Sequence, residues 1–138
     1  NIEKTDIDKN NLIIHREIKD QYNLIGKYEN IFIGGFSQSA CMALYSTMTY
    51  PNNIGGVIMF SGFNFDFTPM DNEKQKIPIL AVNGLNDETV IIRHARNSFY
   101  NFRKLKFNLK LVEETGLYHS FSKSALKKAN DLLLNKKI

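Results

Sequence analysis

A chain of 138 residues, 43% hydrophobic and 23% charged, is sized for one globular domain and leaves no room for two. Its formal net charge of +4 and pI near 9.1 come from scattered lysines and arginines, with no aromatic-and-basic stripe of the kind that reads nucleic acid. One cysteine permits no internal disulfide, and no apolar run is long enough to cross a bilayer; together these point to a reducing, cytoplasmic setting.

The basic groups, Lys74 and Lys76 in a loop, Arg103, Lys104 and Lys106 at a helix end, and the C-terminal lysines, read as a solvated surface. That surface offers at most a weak, transient attraction to anionic membranes. Residues 1–11 are polar and lack an apolar signal region, and the chain has no initiator methionine, so a piece of a longer chain is expected. Leu12, Ile13, Ile14, Ile18, Tyr22 and Ile25 recur at helical spacing and predict an amphipathic helix over 7–28, capped by Asp6 or Asp8 and ended by Gly26. His15 on it reads as a boundary residue. The run 30–33 predicts a strand, and a helix follows over 38–50, stopped by Pro51-Asn52-Asn53. Cys41 on that helix reads as a packed structural thiol.

Residues 56–60 are continuously apolar, as in a parallel strand covered on both faces. The segment 63–76 is long and irregular, mixing Phe63, Phe65, Phe67 and Met70 with polar residues; loops of this length are usually functional or mobile. Its aromatics either pin the loop to the core or line an apolar groove. The surrounding turns favour the groove, with Phe63 as a substrate-contacting residue. A second buried strand is predicted over 77–82, a helix carrying His94 over 90–105, and a strand nearer the edge over 107–112. His94 reads as a packing or surface residue. A last helix over 121–134 has Ala125, Leu126, Ala129, Leu132 and Leu133 on one face. The alternation gives an α/β fold of about four mainly parallel strands with helices on both faces.

Chemistry-bearing residues fall at one end of that sheet. Ser37, Asp87 and His119 each sit in the loop after a β-run, and such loops emerge together at the carboxyl edge, where ligands of open α/β sheets bind. Ser37 lies in Gly34-Gly35-Phe36-Ser37-Gln38-Ser39-Ala40, between a strand and a helix, with the small residues Gly35 and Ser39 two places either side. That pattern resembles the nucleophile elbow of α/β-hydrolases, as does the chain order Ser, Asp, His. A serine hydroxyl needs a general base, which His119 can supply. The imidazole needs one tautomer and a counter-charge, which Asp87 can supply. The N–H of Gln38, at a helix N-terminus, is placed to bind a developing oxyanion. No metal or cofactor is called for.

These motifs, with Met42-Ala43-Leu44-Tyr45, Asn83-Gly84-Leu85-Asn86-Asp87-Glu88-Thr89-Val90 and Gly116-Leu117-Tyr118-His119-Ser120, resemble the acyl-protein thioesterase, lysophospholipase and carboxylesterase family. The resemblance covers essentially the whole chain. It implies Ser37 as nucleophile, Asp87 as orienting acid, His119 as base and Gln38 as one oxyanion donor. It also implies substrates that are thioesters of acylated proteins or esters of lysolipids and small acyl compounds. Asn83 for histidine, Tyr118 for glycine and Ser39 for glycine depart from the family pattern. The family's further N-terminal part, with its first strands and a His-Gly-Gly-like loop, has no counterpart here, so residues 1–138 read as a single, N-terminally incomplete α/β-hydrolase domain. Two expectations follow: an exposed elbow strand that self-associates, as a homodimer or otherwise, and, as the alternative to an enzyme, a catalytically silent fragment or pseudoenzyme acting as a binding module.

Overall fold

Four strand-length segments are separated by at least eighteen residues, room enough for the crossovers that parallel pairing requires. The computed structural model describes residues 3–69 and 71–138. Strands β1 (Phe32–Phe36), β2 (Gly56–Phe60), β3 (Ile79–Gly84) and β4 (Leu109–Glu114) form one sheet in the order β1-β2-β3-β4, every adjacent pair parallel. Helix α1 (Lys4–Ile25) precedes the sheet, and α2 (Gln38–Thr49) connects β1 to β2. Helices α3 (Ile92–Ser98) and α4 (Tyr100–Lys104) lie between β3 and β4, and α5 (Lys123–Asn135) closes the chain.

Side chains alternate across the strands and so build two cores. Val57, Met59, Ile79 and Ala81 face one side, where they meet Ala43, Leu44 and Met48 of α2 together with Phe99 and Phe102. Ile58, Leu80 and Val82 face the other side and meet Ala125, Ala129 and Leu132 of α5. A smaller cluster of Ile18, Ile31, Tyr50 and Ile54 fixes α1 against the end of α2.

Several expectations shift. The strand read over 30–33 runs Phe32–Phe36, because Gly34 and Gly35 pair with Ile58 and Met59 in the ladder; Asn30 ends a short 3-10 turn instead. The single helix read over 90–105 breaks at Phe99 (φ −90°, ψ 0°), where Phe99 and Phe102 are both fully buried in the same cluster. On α5 the buried stripe is Ala125, Ala129 and Leu132, while Leu126 and Leu133 are exposed on its flanks. On α1 only Ile18 is buried, and Leu12 and Ile13 are 67% and 56% exposed. Lys74, expected on the solvated surface, is 2% exposed: its ammonium donates to the carbonyls of Tyr50 and Asn52 just past α2. Met70, grouped with the loop aromatics, lies outside the described residues. Among the described residues no helix is long and apolar enough to cross a membrane.

Candidate active site

The chain must turn from the last residue of β1 to the first of α2 at one position, and Ser37 does so with φ 58° and ψ −120°. A non-glycine residue at positive φ is strained, and the turn holds it by bonding Ser37 N–H to the Phe60 carbonyl at 2.8 Å. The strand and helix approach so closely that a Cβ on Gly35 would sit 2.4 Å from the Ser39 carbonyl oxygen. Glycine is therefore required at 35, whereas the exposed Ser39 meets no such limit.

Asp87 follows β3. Its side chain is fully buried, and Oδ1 accepts the N–H groups of Thr89 at 2.8 Å and Val90 at 2.9 Å. Oδ2 is left for His119, whose Nδ1 lies 2.8 Å away. His119 follows β4, its imidazole 24% exposed, with Nε2 at 3.0 Å from Ser37 Oγ. An ionised carboxylate accepts only, so Nδ1 carries the proton and Nε2 is free to accept from the serine hydroxyl. Three residues from three loops thus form one continuous hydrogen-bonded line.

The remaining sequence candidates divide. Gln38 is the first residue of α2, and its N–H has no acceptor among the described residues, as at any helix start. Phe63 packs half-buried against the core beside α2, 4.8 Å from the His94 ring and 6.0 Å from Phe65. Phe65 and Phe67 contact Tyr45 of α2, so this loop is pinned as well as aromatic. His15 bridges α1 to Ser46 and Thr49 of α2. Cys41 is 1% exposed, and burial pushes its thiol up to about 11. Asn83 is fully buried and donates to the Gly62 carbonyl at 2.9 Å.

Two features escaped the sequence reading. Phe36 packs 4.9 Å from the His119 ring and 5.9 Å from Phe121, giving the imidazole an aromatic wall. Asn86 binds the His119 loop, through its N–H to the Leu117 carbonyl and its Oδ1 to the Gly116 N–H. Phe36 adjoins the serine and could have been flagged by position; Asn86 looked like an ordinary turn residue.

The chain matches the family described as phospholipase/carboxylesterase over residues 1–136. A probable carboxylesterase, SOBER1-like, of Arabidopsis thaliana is 34% identical over 118 residues, covering 83% of this chain and 44% of that protein. Acyl-protein thioesterase 1 of Saccharomyces cerevisiae is 44% identical over 50 residues, 36% of this chain and 22% of that protein. The crystal structure of Arabidopsis thaliana SOBER1 superposes with a TM-score of 0.88 at 25% identity, over 99% of this chain and 67% of that one. The chain therefore spans a little under half the length of the first of these curated relatives.

Proposed function

The chain belongs to the phospholipase/carboxylesterase family, and from that premise we propose that it carries the catalytic triad of a serine hydrolase acting on carboxylic esters or thioesters. The observation that carries the reading is the line from Asp87 Oδ2 through His119 to Ser37 Oγ, at 2.8 and 3.0 Å. Ser37 Oγ attacks the acyl carbon while its proton passes to His119 Nε2. Asp87 holds the Nδ1 proton and stabilises the imidazolium that forms. Charge developing on the carbonyl oxygen meets the unpaired N–H of Gln38 at the start of α2. The imidazolium then protonates the departing alkoxide or thiolate, leaving an acyl group on Ser37. Water, deprotonated by the same imidazole, releases the acid.

A thioesterase among the relatives and carboxylesterases beside it support an acyl substrate with either an oxygen or a sulfur leaving group. The test is labelling of the full-length protein with a fluorophosphonate probe, followed by paired assays on a short-chain chromogenic ester and an acyl thioester. Ser37 is expected to be the labelled residue, and Ser37→Ala to abolish both labelling and turnover. Labelling that persists in Ser37→Ala, or its absence in the parent, overturns the assignment.

A further inference from the structure

The strand beside the elbow ends in the same unusual way as the elbow strand. Ser61 follows Phe60 of β2 as Ser37 follows Phe36 of β1, and Phe36 and Phe60 are register partners. Both serines have positive φ, 58° at Ser37 and 54° at Ser61. Among the described residues the other two non-glycine residues with positive φ are Lys106 and Lys136, just beyond α4 and α5, where a left-handed residue commonly ends a helix. Ser61 ends no helix. Glycine would adopt this backbone without strain, so a side chain kept there points to a use for it.

The use is visible in its contacts. Ser61 is fully buried, and its hydroxyl donates to the carbonyl of Ser120, the residue after His119, at 2.7 Å. Residues 118–121 lie largely at the surface, with Tyr118 58% and Phe121 46% exposed. Among the described residues the Ser61 bond is the one hydrogen bond, apart from those of the imidazole itself, that ties 118–121 to another element. The same turn also reaches the elbow and β3. Gly62 lies against the elbow so closely that a Cβ there would be 2.6 Å from Ala40 Cβ, and its carbonyl accepts from Asn83 of β3.

We infer that Ser61 is a positioning residue, its hydroxyl holding the His119 loop at the depth where Nε2 reaches Ser37. This rests on the hydrolase reading above. It acts through the loop backbone and touches no reacting atom.

Ser61→Gly and Ser61→Ala in the full-length protein test it, with turnover of a chromogenic ester expressed per active site titrated by a fluorophosphonate. Glycine relieves the strained φ, so Ser61→Gly should melt within a few degrees of the parent. Its kcat per titrated site should nevertheless fall about tenfold with KM within about twofold, because a small misplacement of the base penalises the chemical step and not substrate binding. A residue serving only stability would change the melting point and the titratable fraction and leave kcat per site alone. The downfield proton NMR signal of the His119 Nδ1–H, which needs no turnover, should be sharp in the parent and broadened in Ser61→Gly. Unchanged kcat per site in an active Ser61→Gly overturns the inference, as does an unchanged Nδ1–H signal. A parent that neither labels nor turns over, with the signal still broadened in Ser61→Gly, overturns the hydrolase reading and supports the positioning role.

Discussion

Asp87 accepts three hydrogen bonds on a fully buried carboxylate, two from the amides of Thr89 and Val90 and one from His119. Its two oxygens have separate tasks, Oδ1 fixing the side chain and Oδ2 fixing the imidazole. Asp87→Asn separates them. The amide oxygen can still accept from Thr89 and Val90, so the fold should survive, but the amide NH2 then faces His119 Nδ1. The ring must adopt the other tautomer, with its proton on Nε2 pointing at Ser37, where it cannot serve as the base of the proposed reaction. A fall in kcat of about 10⁴-fold with little change in melting temperature is expected. Steady-state kinetics beside thermal denaturation checks it, and a loss of less than about tenfold would show that Asp87 does not set the tautomer. The meeting of Ser37, Asp87 and His119 at one end of the sheet was legible in the sequence because residue type, strand-end position and chain order all carried information. Ser61 and Lys74 were not. Both donate to main-chain carbonyls, one for Ser61 and two for Lys74, that only the folded topology brings near, so neither residue's type nor its neighbours gave a signal.

The parallel character of the strands followed from the alternation of apolar runs and helical stretches, whereas their order in the sheet and the ends of elements did not. Gly34 and Gly35 have poor strand propensity, yet ladder pairing with β2 keeps them in β1. Helical periodicity over 90–105 hid the break at Phe99, because burial of two nearby phenylalanines is decided by the sheet beneath them. Contact between α1 and α2 was equally silent in sequence, and it carries a measurable pH dependence. His15 Nε2 lies 3.0 Å from the Ser46 carbonyl and 3.1 Å from Thr49 Oγ1, and a carbonyl can only accept, so the ring sits with its proton on Nε2. Burial chiefly, with the nearby Lys74 charge adding to it, holds the His15 pKa below its ordinary 6.5, against the opposing Ser46 hydrogen bond. Between that lowered value and 6.5 the unfolded chain binds more protons than the folded one, so stability should rise with pH across the window. Above 6.5 this contribution is complete, and it is lost as pH falls through the folded value. Urea midpoints measured on either side of the window should therefore show a steeper acid decline for the parent than for His15→Gln, which keeps a donor but cannot charge. Equal slopes would remove His15 from the account.

At the scale of the molecule, the sheet has two unlike edges. β4 closes one, and its Glu113 carboxylate pairs with Arg96, which holds that carboxyl below its ordinary range. β1 forms the other, and no strand pairs with its outer side among the described residues. Nothing charged or proline-like interrupts Phe32–Phe36, so neither of these devices blunts this edge. Beside it runs a largely apolar groove of about 260 Å³ whose walls include Ile13, Ile14, Ile31 and Phe32, with Glu17 also on its lining. Unpaired strand groups and apolar side chains on one surface favour a partner that supplies both, and a second copy of the chain offers the same pair of features. The 138 residues expressed by themselves are therefore expected to self-associate through β1 and α1. Ile13 is 56% exposed, so Ile13→Lys places a charge at the groove without emptying the core, and it should shift the assembly toward monomer while leaving the melting profile intact. Sedimentation velocity over a range of concentrations decides the matter. A parent chain that stays monomeric throughout, with a cooperative melt, would show that this edge is protected without a partner.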